Sequence, residues 1–228
     1  MSATASVSSR PPSQPPRGLF ITVEGGEGVG KSTNISYLKG YLQEHGVDLV
    51  ISREPGGTVL AEDIRSLLVV PREETVAPMA ELLLIFAARA QHIEAVIEPA
   101  LAAGRWVLCD RFTDATYAYQ AGGRGVSPLL VRRLENLVQG ELRPDVTLLL
   151  DAPVEIGMER ARDRGALDRF EREELDFFER VRQTYLQLAS ESSGRYRLID
   201  ASQALDDVRT QLHTICEELL DCWAVRHE

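Results

Sequence analysis

The sequence predicts a three-layer α/β/α domain built on a central parallel sheet, and three observations predict it. Short apolar runs bounded by glycine or acidic residues alternate with longer stretches of helical pattern. Runs such as Trp106–Cys109 and Val146–Leu150 are apolar at nearly every position, as in strands covered on both faces. The first run, Leu19–Val23, leads into a glycine-rich cluster that opens a helix.

In chain order, Leu19–Val23 predicts a buried strand and residues 31–45 a helix that stops near Gly46. Residues 47–52 predict a second strand. Residues 77–103 predict a long helix, with Gly104 as its stop. Trp106–Cys109 and Val146–Leu150 predict two more strands, each followed by an aspartate, Asp110 and Asp151. Arg197–Ile199 and residues 204–223 complete the pattern with a short strand and a helix. One domain over 18–228 is expected, with no internal repeat. Residues 1–17, rich in serine and proline, predict a disordered tail.

The chain's 228 residues suffice for one α/β domain with a sizeable core. A net charge of −10 argues against a broad nucleic-acid surface, while leaving room for a local cationic pocket. No apolar run approaches the ~18 residues that cross a bilayer, so no membrane partner is expected. Cys109, Cys216 and Cys222 lack paired metal-ligand spacing and fit a reducing cytoplasm, each as a small core hydrophobe.

The strongest local signal is Gly25-Gly26-Glu27-Gly28-Val29-Gly30-Lys31-Ser32, followed by Thr33, a full match to G-x-x-x-x-G-K-[ST]. Its glycines let the backbone wrap and turn N–H groups toward phosphate oxygens, and the helix that follows adds its positive end. Lys31 is suited to the outer phosphates of ATP and the Ser32 hydroxyl to Mg²⁺. The expected fold is therefore that of a P-loop NTPase. Asp110, at the end of a buried strand, places a carboxylate where ligands bind in such folds and is a second candidate for Mg²⁺.

Further segments match one family in the right order: Arg53-Glu-Pro-Gly-Gly-Thr58, Phe86-Ala-Ala-Arg89-Ala-Gln-His92, Asp110-Arg-Phe112, Ala118-Tyr-Gln120 and Gly123-Arg-Gly125. Arg160-Ala-Arg-Asp-Arg-Gly165 with Leu167-Asp-Arg169 is similar to that family's lid, at about residues 160–170. The sequence resembles the thymidylate kinases from about Gly18 to Asp200. The resemblance implies transfer of the ATP γ-phosphoryl group to dTMP, giving dTDP and ADP, by a cytoplasmic homodimer. It also implies roles: Arg53 and Arg111 on the acceptor phosphate, Arg89 and Gln120 facing thymine with Thr116 nearby, Tyr119 crowding the sugar's 2′ position, and Glu27 near the 3′-hydroxyl. Pro55 joins the acceptor set by the same carry-over. An arginine fork suits this chemistry, because it stays charged and meets phosphate oxygens bidentately.

The family carries its catalytic arginine either in the P-loop or in the lid. Gly28 stands at the P-loop position here, so the lid is expected to supply it, with Arg160 and Arg164 as the favoured residues. The aromatic that stacks on thymine is expected four residues before Arg89, where Ile85 stands; Phe86 is three before it. Both offsets share a helix face, so Phe86 is carried as the stacking candidate with Ile85 as the alternative. Competing readings are another pyrimidine nucleoside monophosphate kinase, a kinase of a small metabolite such as a shikimate-like acid, and a non-catalytic P-loop switch. The Asn-Lys-x-Asp base-reading motif usual in guanine-nucleotide switches is absent from the sequence.

Overall fold

A computed structural model describes residues 16–163, 169–170, 173–192 and 194–225. The tail expected over 1–17 therefore lies outside the described residues up to residue 15. Arg17, at its end, is ion-paired to Asp145 at 2.8 Å.

Five parallel strands, β1 (Phe20–Glu24), β2 (Leu49–Arg53), β3 (Trp106–Asp110), β4 (Val146–Asp151) and β5 (Tyr196–Asp200), lie in the order β2-β3-β1-β4-β5. All five residues of β1 are buried, because this strand is flanked by β3 and β4 and covered on both faces. Along one face run α1 (Lys31–Glu44) and α9 (Leu205–Val225). Leu38 and Leu42 of α1 and Leu212 of α9 join Ile21, Leu108 and Leu148 of the sheet there. Each such buried aliphatic side chain contributes about 1.5–3 kcal/mol of burial free energy. Phe177, Phe178, Val181 and Tyr185 of α8 (Leu175–Glu191) pack with Leu149 of β4 and Tyr119.

The long helix expected over 77–103 is one continuous helical run with an irregular middle. It comprises α3 (Pro78–His92), a π-helical turn at Ile93–Ile97 and α4 (Glu98–Ala102). Pro99 explains the irregularity, since it has no N–H to give the carbonyl four residues earlier and its ring crowds that carbonyl. A second π turn, Tyr117–Gly123, follows α5 (Thr113–Thr116) and carries Tyr119 and Gln120. Also present are α2 (Val59–Val69), capped by the Thr58 hydroxyl accepting from Ala61 N at 3.2 Å, α6 (Pro128–Gln139) and α7 (Val154–Asp163).

Because every strand runs the same way, their carboxyl ends collect on one edge of the sheet. Register sets Arg53 beside Asp110 and Val23 beside Asp110 on that edge, so the glycine-rich loop after β1 and the residues after β2 and β3 open together. Cys109 and Cys216 are core residues as expected, whereas Cys222 is exposed. Cys222 lies near the end of α9 on its solvent side, while its neighbour Trp223 still packs edge-on against Trp106 of β3 at 5.2 Å.

Candidate active site

Between β1 and α1 the glycine-rich loop takes a shape only glycine permits at its centre. Gly28 has φ 67°, and a Cβ added there would overlap the Gly157 carbonyl of α7. No side chain fits at position 28, so this loop cannot carry an arginine there. Lys31 folds over the loop and donates from Nζ to the carbonyls of Gly25 (3.2 Å) and Gly26 (2.6 Å). Burial and the neighbouring Arg111 cation lower its pKa to about 8, against the pull of Glu27, Asp110 and Glu24. Asp110 leaves β3 with its Oδ1 buried and without a hydrogen-bond partner.

Arg111 is the hub of the loop side. Its backbone is left-handed, φ 67°, which turns the guanidinium back over the sheet edge. From Nη1 it donates to Gly25 O (2.9 Å) and Tyr185 Oη (3.3 Å), and from Nη2 to Glu27 Oε1 (2.6 Å) and Tyr119 Oη (2.9 Å). Tyr119 Oη in turn donates to Glu27 Oε1 at 2.7 Å.

Beneath Arg111, Glu24 is fully buried and accepts from Phe112 N (2.7 Å) and Tyr185 Oη (2.8 Å). Burial, then the Asp114 carboxylate, push its carboxyl up to about 7, with Arg111 opposing. A raised folded-state value means that the folded chain holds a proton the unfolded chain has already lost above its ordinary carboxyl range. The associated stability is therefore present at low pH and is lost as pH rises towards about 7. Glu24→Gln, neutral throughout, should gain on the order of 2 kcal/mol relative to the native chain between about pH 5 and pH 8 in urea unfolding. A difference that stays constant across that range would contradict the assignment.

The far side of the site is built on Arg89. This guanidinium is 1% exposed and stacks between the Phe86 and Phe112 rings at 4.8 and 5.0 Å. It donates from Nε to Glu54 Oε2 (2.6 Å) and from Nη2 to Thr116 Oγ1 (2.9 Å) and Phe112 O (3.2 Å). Its Nη1 is buried with no partner. The other Glu54 oxygen meets His92 Nδ1 at 2.9 Å, and His92 Nε2 meets Ser52 Oγ at 2.6 Å.

Between these two groups lies a cavity of about 540 Å³. Glu27, Gly28, Gly30, Lys31, Ser32, Thr33 and Asp110 line one end; Arg89, Thr116, Tyr119 and Gln120 line the other, with Pro55, Arg111 and Arg160 also on its wall. Gly25, Gly26 and Val29 are not on this wall; the first two turn their carbonyls to Lys31. Two expected residues are displaced. Phe86 is in the core with Leu82, Val126 and Val131, and Ile85 takes the wall position. The reason is the stacking just described: at three residues before Arg89, the Phe86 ring lies under the guanidinium. Arg53 is also off the wall, held outward by Glu62 at 3.1 and 2.7 Å.

Arg160 donates from Nη1 to Ala201 O at 2.9 Å. Arg164 lies outside the described residues. Arg169 reaches Leu68 O at 2.6 Å and the buried carboxylate of Glu81. Arg65, Glu54, Val69, Ala115 and Phe170 also line the cavity without having been singled out. Arg65 donates to Pro55 O at 3.1 Å, and burial, then the nearby Arg53 and Arg111, lower its pKa. Its one sequence signal was an arginine on a helix just past the Arg53–Thr58 segment.

A parallel sheet with a phosphate loop at one end of the cavity and a buried, half-satisfied arginine at the other defines a P-loop phosphotransferase that takes a nucleotide acceptor. The thymidylate kinase family model matches residues 23–212, and the chain belongs to that family. It is 59% identical over 204 residues to a thymidylate kinase of Pseudomonas savastanoi pv. phaseolicola, covering 90% of this chain and 97% of the relative. It is 60% identical, with the same coverage, to one of Pseudomonas entomophila. The crystal structure of a thymidylate kinase from Ehrlichia chaffeensis superposes with a TM-score of 0.71 at 30% identity, covering 89% of this chain and 99% of that one.

Proposed function

We infer that the chain transfers the γ-phosphoryl group of ATP to the 5′-phosphate of dTMP, giving ADP and dTDP. The observation that carries the base assignment is the polarity at the far end of the cavity. Arg89 Nη1 is a donor without a partner. Gln120 gives its amide nitrogen to Glu81 at 2.8 Å, which leaves the amide oxygen as its free acceptor. A donor beside an acceptor complements the O4 and N3–H edge of thymine or uracil. Cytosine, with an amino group at C4 and an acceptor at N3, meets both groups with the wrong sign. Ile85 and Phe170 supply apolar wall for the ring and its methyl group. Tyr119, fixed by Glu27 and Arg111, crowds the sugar and favours deoxyribose, with Glu27 towards the 3′-hydroxyl.

An acceptor phosphate is already ionised near neutral pH, so transfer needs alignment and positive charge more than a general base. The loop amides from Gly26 to Thr33 and Lys31 receive the donor phosphates, Lys31 exchanging its two carbonyl partners for phosphate oxygens. Arg111 holds the acceptor phosphate beside Pro55, and Arg53 joins it once released from Glu62. The residues present also fit Mg²⁺: Asp110 Oδ1 is buried without a partner, and the Ser32 hydroxyl shares the same wall. An ion so placed would neutralise phosphate charge, and one or two protein ligands suffice for Mg²⁺ when phosphates supply others. Arg160, on the cavity wall, and Arg164 bring the lid's charge to the transferred group, which the exclusion of any side chain at Gly28 supports.

A homodimer in the cytoplasm completes this reading. The neighbouring helices α2, α3 and α6 expose Leu67, Met79, Leu83, Leu129 and Leu137, an apolar face of the kind that pairs copies of a chain. No helix among the described residues is long and apolar enough to cross a membrane.

The test is ADP formation from ATP and Mg²⁺ with dTMP, dUMP, UMP, dCMP, CMP and AMP as separate acceptors, repeated with EDTA. We expect preference for dTMP, dUMP a poorer second by about 10- to 100-fold for the missing methyl, and loss of turnover with the chelator. Turnover without acceptor preference, or preference for a cytosine nucleotide, would overturn the reading.

A further inference from the structure

Glu81 opens α3 away from the P-loop, yet it is completely buried and takes hydrogen bonds from three residues on two separate segments. Its Oε1 accepts from Gln120 Nε2 at 2.8 Å and lies 3.4 Å from Arg124 Nε. Its Oε2 accepts from Arg169 Nη2. Arg124 also pairs with Glu173 at 2.7 Å, and Arg169 is fixed further by Leu68 O. Both guanidiniums stack on the Phe170 ring, at 5.8 and 4.4 Å. A buried carboxylate is costly unless paired, and two arginines go well beyond what burial of a single glutamine amide needs.

We propose that Glu81 is a specificity-determining positioning residue: by accepting from Gln120 it fixes which end of that amide faces the nucleobase. An amide can turn end over end at almost no steric cost, since its oxygen and nitrogen are nearly equal in size. Left alone, Gln120 would present an acceptor in one orientation and a donor in the other, reading uracil-type and cytosine-type edges alike. A carboxylate held by two guanidiniums can only accept. It therefore draws the NH₂ end and leaves the oxygen for the base. Glu81 is not on the cavity wall and so touches no substrate atom. Arg124 and Arg169 hold it in place and aimed at the amide.

The inference rests on the reading that Gln120 faces the base, and the experiment separates the two. Glu81→Gln keeps the shape while allowing position 81 to donate to Gln120 Oε1 and still accept from Arg169. In that variant Gln120 can turn its NH₂ to the cavity. Steady-state kinetics with dTMP and dCMP should show the ratio of their kcat/KM values falling by about 10- to 100-fold, mainly through KM for dTMP, with kcat at saturation changed far less. In a Gln120→Ala background the same substitution should leave the ratio unmoved, because its effect passes through the amide. Glu81→Asp provides a second reading: it keeps an acceptor-only group, so it should weaken dTMP binding while retaining discrimination against dCMP. A wild-type chain that prefers dCMP would sink the base assignment itself. A wild-type preference for dTMP with an unchanged ratio in Glu81→Gln, or equal loss of discrimination in Glu81→Asp, would overturn the role of Glu81 alone.

Discussion

Arg111→Ala is expected to lower kcat/KM for transfer to dTMP by about 10²- to 10⁴-fold, because its guanidinium aligns the acceptor phosphate and adds positive charge beside the group being transferred. The geometry concentrates this loss at one residue. The Arg111 guanidinium is the only link among the described residues that ties the P-loop carbonyl of Gly25, the Glu27 carboxylate and the phenols of Tyr119 and Tyr185 to a single cation. Substrate phosphate would meet a group already oriented, and orientation is what transfer needs. Alanine inherits the left-handed backbone at φ 67°, so the conformational strain is the same in both chains and does not confound the comparison. Arg111→Lys separates charge from shape. It restores a cation without the planar fork, and should recover no more than about tenfold of the loss. Glycine at the same position relieves the strain without restoring a cation, so it should melt no lower than the alanine variant and be as inactive. The kinetics are checked by single-turnover transfer with ATP and Mg²⁺ in excess. A decrease below tenfold would move the acceptor-phosphate role to Arg53 or Arg65.

The contrast between what was legible in the sequence and what was not follows the range of the forces involved. Apolar runs such as Trp106–Cys109 announce themselves because burial on both faces acts on every residue of the strand. The P-loop is legible because its constraint is local: a tight turn, a phosphate and a helix start within eight residues. The two π turns were not legible, and for the first only Pro99 hints at the break in the ladder. Arg53 reads as a site residue from its motif, but Glu62, one helix turn into α2, claims its guanidinium in this structure. Ile85 and Phe86 differ by one position and about 100° of rotation around the helix. Which of them meets the cavity depends on where Arg89 stacks, a fact that resides in Phe112 and Glu54, far apart in sequence. Glu54 and Glu81 were invisible for the same reason. A glutamate has no sequence signature for being buried against arginines brought from other elements.

That buried pairing leads to the second large effect. Arg89→Met should destabilise the chain by about 3–5 kcal/mol in urea unfolding, because it leaves Glu54, 3% exposed, without its strongest partner. Methionine is long enough to keep contact with the Phe86 and Phe112 rings, so the loss reports the stranded carboxylate more than a cavity. Glu54→Gln in the same chain should return much of that stability, since an amide needs no countercharge and its oxygen or nitrogen can still meet His92. It should return none of the affinity for dTMP, because the donor at Nη1 is gone in both variants. Stability and binding, lost together in the single variant, should thus separate in the double one. The interaction energy of the cycle measures the ion pair, and the residual rise in KM measures the contact with the base. If the double variant recovered both, Arg89 would be a structural partner of Glu54 and nothing more, and the reading of its free nitrogen as the thymine O4 donor would have to be given up. If it recovered neither, the cost would lie in packing between the two rings, and the charge of Glu54 would not be what Arg89 is there to balance.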